Sequence, residues 1–147
     1  MKLIILSGDS SCGKTTSLNL LHDLLLQAGK VKELSRHPCG HPSANDYEYL
    51  LENQRGEKLV VSTWGDYTWL LKDCCQRNAQ CDVIVCACNK NFMRNRVHTP
   101  FNDALLFDSM PTVVMKAQLP NAQNHASANR QCAQYLLEII NLSINVI

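Results

Sequence analysis

The sequence has no long hydrophobic run, no strong excess of one charge and no two cysteines in a C-x-x-C spacing. Every apolar run is far shorter than the roughly 20 residues that a membrane-spanning helix needs. The formal net charge of +1 disfavours broad binding to nucleic acid or to an anionic membrane surface. The missing C-x-x-C pair disfavours a zinc ribbon.

The composition is that of a globular protein, with 147 residues of which 46% are hydrophobic and 18% are charged. This length predicts a single domain spanning residues 1–147. The first residues already read as a core strand, which leaves no room for a signal peptide. We expect the eight cysteines to stay reduced. Together these features predict a cytoplasmic protein.

A glycine-rich segment follows the first apolar run, Lys2 to Ser7, and precedes leucines at helical spacing. Its two glycines allow the backbone to form a concave nest of N–H groups at a helix N-terminus, which suits a polyphosphate. The segment matches G-x-x-x-x-G-K-[ST] throughout: Gly8, Asp9, Ser10, Ser11, Cys12, Gly13, Lys14, Thr15 and Thr16.

On these residues the chain resembles the P-loop NTPases, nearest to the kinases of nucleotides and small molecules. The resemblance covers about the first 30 residues. It implies that the whole 8–16 loop binds ATP, that Lys14 contacts the β- and γ-phosphates, and that Thr15 binds Mg²⁺. The expected cofactors are therefore ATP and Mg²⁺.

Strand-like and helix-like segments alternate along the rest of the chain. We expect strands at 2–7, 30–35, 58–63, 82–88 and 112–117, and helices after the loop, at 46–53, from Asp66 and at about 124–141. This order predicts an α/β chain with a three-layer P-loop NTPase fold, whose five-stranded, mainly parallel sheet carries helices on both faces. Ligands of such a sheet gather at the carboxyl ends of its strands.

Acidic residues near those ends are candidates for metal binding and base catalysis. Asp66, a few residues after the third strand, is predicted to bind Mg²⁺ directly or through water, or to cap the next helix. Asp46 or Glu48 could accept a proton from an attacking hydroxyl, with Arg36 near an anionic group of the acceptor.

Basic residues follow the fourth strand. Arg94 and Arg96 are predicted to neutralise the phosphoryl group during transfer, the alternative being a solvated basic loop. His37, Cys39 and His41 could bind a metal, although three ligands within five residues fit a tetrahedral site poorly. Residues 118–121 are expected near the nucleobase of ATP.

Two functions remain open from the sequence. The first is a Mg²⁺-dependent phosphotransferase that uses a nucleoside triphosphate and a small-molecule acceptor. The alternative is a regulatory, switch-like ATPase that acts on a protein partner, and a third reading is a loop that binds phosphate without turnover. GTP specificity is disfavoured, because Asn89-Lys90 is not followed by the aspartate of N-K-x-D; Phe92 stands there.

Overall fold

The computed structural model describes residues 1–91 and 99–147, which form an α/β fold. The elements in chain order are β1 (Lys2–Gly8), α1 (Lys14–Gln27), β2 (Val31–Cys39), β3 (Asp46–Asn53), β4 (Lys58–Ser62), α2 (Leu70–Arg77), β5 (Val83–Asn89), α3 (Pro100–Ala104), β6 (Thr112–Lys116) and α4 (His125–Ser143). Short 3₁₀ turns at Pro42–Ala44 and Ala122–Asn124 precede β3 and α4.

The described strands form one mixed sheet in the order β2-β3-β4-β5-β1-β6. The pairs β4–β5, β5–β1 and β1–β6 are parallel, whereas the pairs β2–β3 and β3–β4 are antiparallel. The predicted five-stranded, mainly parallel P-loop NTPase fold is therefore wrong, because the sheet has six strands and one half of it is antiparallel.

The error lies at residues 46–53, where the helix expected from the sequence is strand β3. Only residues 40–45 separate β2 from β3, and only 54–57 separate β3 from β4. A parallel connection needs a dozen or more residues, so such short links require antiparallel pairing. Tyr47 and Tyr49 also favour a strand over a helix.

Two further boundaries differ from the expectation. Helix α2 begins at Leu70 rather than at Asp66, and its N-cap is Trp69, so Asp66 does not cap it. Strand β2 continues through the His37-Pro38 pair to Cys39, beyond the end that was expected at residue 35. The strands expected at 58–63, 82–88 and 112–117 are confirmed to within a residue.

Alternate residues of β1 point into two cores on opposite faces of the sheet. Ile4 and Leu6 pack with α1 and α4, whereas Leu3 and Ile5 pack with α2 and with Ala104 of α3. The continuous apolar sequence of β1 follows from this burial on both sides. Among the described residues, no helix has the length and apolar character to cross a membrane.

The antiparallel half is joined to α2 by an ion pair. Arg77 Nη1 and Nη2 donate to the two carboxylate oxygens of Glu48 at 2.7 and 2.9 Å, and Asn78 Nδ2 donates at 3.1 Å. Only 8% of the Glu48 side chain is exposed, against 52% of the Arg77 side chain.

We predict that Arg77→Ala lowers the free energy of unfolding by about 2 kcal/mol, because it leaves a buried carboxylate without its cation. The loss is smaller than for a fully buried pair, since half of the arginine is already in water. Urea unfolding measures the change, with the exposed Arg55→Ala as control. Equal stability of the two variants would contradict the prediction.

Candidate phosphate-binding site

Residues 8–16 form a loop between the carboxyl end of β1 and the start of α1. Gly13 has φ 92° and Ser11 has φ 61°, so the chain passes twice through the left-handed region. A Cβ on Gly13 would lie 2.4 Å from Asn129 Oδ1, and a Cβ on Gly8 would lie 2.7 Å from the Lys116 carbonyl oxygen. The close backbone oxygen therefore requires glycine at position 8, and the positive φ favours glycine at position 13.

The N-terminus of α1 has no side-chain cap, because its N-cap residue is Gly13. The first N–H groups of an α-helix have no partner within the helix, and they carry the positive end of its dipole. The loop therefore presents uncapped donors beside its concave side. Ser10, Ser11 and Thr16 are exposed around them.

The Lys14 ammonium group lies inside this loop, and 8% of the residue is exposed. Its Nζ donates to the carbonyl oxygens of Asp9 at 2.6 Å and Gly8 at 3.2 Å, to Asn89 Oδ1 at 2.9 Å and to Cys12 Sγ at 4.0 Å. None of these four acceptors is a carboxylate. In the part of the chain that the structure describes, no carboxylate forms an ion pair with Lys14, so a buried positive charge lacks a counter-ion.

Thr15 joins the loop to the antiparallel half of the sheet. Its hydroxyl donates to Asp46 Oδ1 at 3.0 Å, and the Thr63 hydroxyl donates to the same oxygen at 2.8 Å. The Tyr47 N–H donates to Thr63 Oγ1 at 3.0 Å. The first residue of β3 and the residue after β4 thus meet the first turn of α1.

Burial raises the pKa of Asp46, and the charge of nearby Asp66 adds to the rise, while the two threonine hydroxyls act against it. Asp46 is 6% exposed, whereas Asp66 is exposed to solvent. The sequence predicted Thr15 and Asp66 as metal ligands. In the structure, Thr15 contacts Asp46 instead. Asp66 lies on the wall of a cavity that Thr15 also lines.

That cavity has a volume of about 240 Å³ and is bounded by the loop, Thr63, Gly65, Asp66 and Asn89. Its oxygen donors are the Asp66 carboxylate and the hydroxyls of three threonines, Thr15, Thr16 and Thr63. Mg²⁺ prefers such hard ligands and keeps several waters, so one or two protein oxygens and a phosphate suffice. The donor set therefore fits Mg²⁺.

A second cavity, of about 230 Å³, lies in the turn between β2 and β3, and Asp46 belongs to its lining as well. Pro38, His41 and Tyr47 form other parts of its wall. Asp46 consequently lies between the 8–16 loop and this second cavity.

Several predicted residues lie elsewhere or have other partners. Glu48 is bound to Arg77, and Arg36 donates to Glu33 at 3.1 Å and lies over the Tyr49 ring. Arg94 and Arg96 fall outside the described residues. Within 1–91 and 99–147, no group of three or more His, Cys, Asp or Glu side chains is arranged to bind a metal, and this includes the His37, Cys39 and His41 set.

One ion pair lies at the surface of the loop. Lys90 Nζ lies 2.8 Å from a carboxylate oxygen of Asp9. Both side chains are partly exposed, at 33% and 41%, so this pair is screened by water. Asp9 therefore does not neutralise Lys14, to which it offers only its carbonyl oxygen.

Sequence reasoning did not identify Asn89, Thr63 and Asn129 as site residues. Asn89 and Thr63 stand at the carboxyl ends of β5 and β4, so the rule for parallel strands does select their positions. Asn129 lies within α4 and contacts Gly13 only through the tertiary fold, for which the sequence carries no signal.

Comparisons with known protein families, with characterised proteins and with solved structures found no match to this chain. The site is therefore interpreted from its own geometry.

We predict that Gly13→Ala is more destabilising than Gly29→Ala. Both glycines have a positive φ, so both substitutions carry a backbone strain of about 1–2 kcal/mol. Only Gly13→Ala also drives a methyl group into Asn129, because nothing lies within 4 Å of a Cβ on Gly29. Urea unfolding of the two variants gives the comparison. Adding Asn129→Ala should recover part of the Gly13→Ala loss, and equal costs at the two glycines would refute the clash.

Asp46 should also impose a pH dependence on stability. Its pKa in the folded protein is raised above the ordinary value of 3.8. Between the pKa of the unfolded state and that of the folded state, the native protein therefore binds more protons than the unfolded protein. The free energy of unfolding, measured relative to Asp46→Asn, should therefore fall as the pH rises through that window and then level off. Urea unfolding from about pH 4 to 8 tests this. Parallel curves for the two proteins would contradict a raised pKa.

Proposed function

We propose that the protein binds a nucleoside triphosphate with Mg²⁺ at the 8–16 loop and transfers the terminal phosphoryl group. The observation that carries the proposal is the buried Lys14 ammonium, whose acceptors among the described residues include no carboxylate. A buried charge without a counter-ion is costly unless a ligand supplies the opposite charge. The uncapped N-terminus of α1 beside it also favours an anion.

Mg²⁺ would bind at the loop together with the triphosphate. Thr15 and the Asp66 carboxylate line the loop cavity and offer oxygen ligands there. Mg²⁺ there would neutralise charge that develops on the phosphate oxygens during transfer. ATP is the nucleotide that we expect, and a cytoplasmic location is the matching expectation for a protein with eight free cysteines.

A small molecule with a hydroxyl group is the acceptor that the geometry favours. Asp46 lines the cavity between β2 and β3 and also contacts Thr15 at the loop. A carboxylate in this position could accept the hydroxyl proton as the oxygen attacks the phosphorus. Its raised pKa makes it a stronger base than an exposed aspartate.

The regulatory ATPase stays as a second candidate because of an exposed aromatic cluster, Trp64, Tyr67 and Trp69. Their rings lie 5.8–6.1 Å apart, and about half of the Tyr67 and Trp69 surfaces is exposed. The cluster follows β4 beside Asp66. Exposed tyrosine and tryptophan are enriched at protein interfaces, which favours a contact with a partner protein.

The first test is binding of Mg²⁺ and ATP to Lys14→Ala by titration calorimetry. We predict a loss of affinity of about a hundredfold, because a charge-assisted contact to phosphate disappears from a buried site. Lys32→Ala is the matched control, since Lys32 is exposed on β2 and paired with Glu52. Unchanged ATP affinity of Lys14→Ala would overturn the proposal.

A thermal-shift screen then separates the two candidates. ATP at 100 times its dissociation constant should stabilise the protein by about 2.7 kcal/mol. A further shift with one small hydroxyl compound, lost in Asp46→Asn, supports the phosphotransferase. Stabilisation by ATP with no effect of any acceptor favours the regulatory ATPase.

A further inference from the structure

Lys116 is a second buried lysine without a counter-ion. It is the last residue of β6, paired in register with Gly8, and 9% of its surface is exposed. Among residues 1–91 and 99–147, no hydrogen bond or ion pair joins its ammonium group to another residue. The sequence of residues 92–98 contains no Asp or Glu.

Cys132, whose thiol interacts electrostatically with Lys116, gives no compensating charge. Burial raises the pKa of the Cys132 thiol, and Lys116 acts only partly against that rise. The thiol is therefore protonated and neutral at physiological pH. The charge of Lys116 is not balanced by the protein as described.

Lys116 lines a cavity of about 210 Å³ on the α4 side of the loop. Ser11 to Gly13 form one wall, and His125 and Asn129 of α4 form the other. The cavity shares Ser11, Gly13 and Thr16 with the cavity that holds Thr15 and Asp66. The two spaces are thus neighbours across the loop.

The N-terminus of α4 adds a second positive element. This 19-residue helix begins at His125, and its N-cap residue Asn124 makes no side-chain cap hydrogen bond. His125 Nε2 donates to the Leu119 carbonyl oxygen at 2.7 Å, which holds the ring beside the cavity. A helix dipole and an unpaired ammonium therefore converge on one space.

We propose that this cavity binds a second phosphate group, outside the part of the loop that holds Lys14. Two sources of that phosphate are chemically equivalent: the α-phosphate of the triphosphate in the loop, and a separate phosphorylated molecule. The α-phosphate as occupant rests on the proposed function, because it requires a triphosphate in the loop. A triphosphate carries more negative charge than Mg²⁺ and Lys14 balance, so a further cation is needed. A separate phosphorylated molecule does not depend on the proposed function.

The test is Lys116→Met, with Lys72→Met as the matched control on α2, across the sheet from the loop. Calorimetry measures the binding of Mg²⁺ and ATP, and of inorganic phosphate with and without a non-hydrolysable ATP analogue present. Loss of one charge-assisted hydrogen bond should weaken the affected ligand by about tenfold or more. Without ligand, the Lys116→Met variant should also melt at a higher temperature than the unaltered protein, because an unpaired buried charge is removed.

Each result has a distinct meaning. Weaker ATP binding by Lys116→Met, with phosphate unaffected, supports the α-phosphate as occupant. Weaker binding of inorganic phosphate alone supports a separate phosphorylated ligand, and this holds even if Lys14→Ala shows that ATP does not bind the loop. If neither affinity changes relative to Lys72→Met, the inference is overturned whatever the melting temperature.

Discussion

Two buried ammonium groups that have no carboxylate partner among the described residues impose the strongest constraint on this structure. Lys14 and Lys116 flank the same loop and are 8% and 9% exposed. Burying an unpaired charge costs several kcal/mol, so the remaining contacts of the fold must offset this loss. The two cores on opposite faces of the sheet supply that stability, since β1 and β5 contribute almost completely buried side chains to both.

The parallel half of the sheet explains how both lysines reach one place. Strands β1, β5 and β6 run in the same direction and end side by side. Their last residues, Gly8, Asn89 and Lys116, therefore stand in one row next to the loop. Asn89 holds Lys14 from one side and Lys116 faces α4 on the other, so the positive charges lie on both sides of the space that a polyphosphate would fill.

Much of this arrangement could be predicted from local sequence. The loop, its flanking strand and helix, and the strands at β4, β5 and β6 follow from apolar runs and glycine spacing. The antiparallel half could not be predicted from composition, because Asp46 to Asn53 contains leucine and glutamate, which also favour a helix. Link length was the better signal: residues 40–45 and 54–57 are too few for parallel crossovers. The contact of Asn129 with Gly13 depends on how α4 packs, which no local pattern encodes.

Strand β3, where the sequence predicted a helix, also completes the candidate site. A helix at 46–53 would present its carboxylates to solvent or to a separate acceptor. As the first residue of β3, Asp46 instead enters the sheet beside Thr63 and accepts from Thr15, with 6% of its surface exposed. Glu48, two residues further and on the same face of the strand, is neutralised by Arg77. One strand thus carries Glu48, which stabilises the fold through Arg77, and Asp46, which pairs with no cation among the described residues and is the carboxylate that we propose as the proton acceptor.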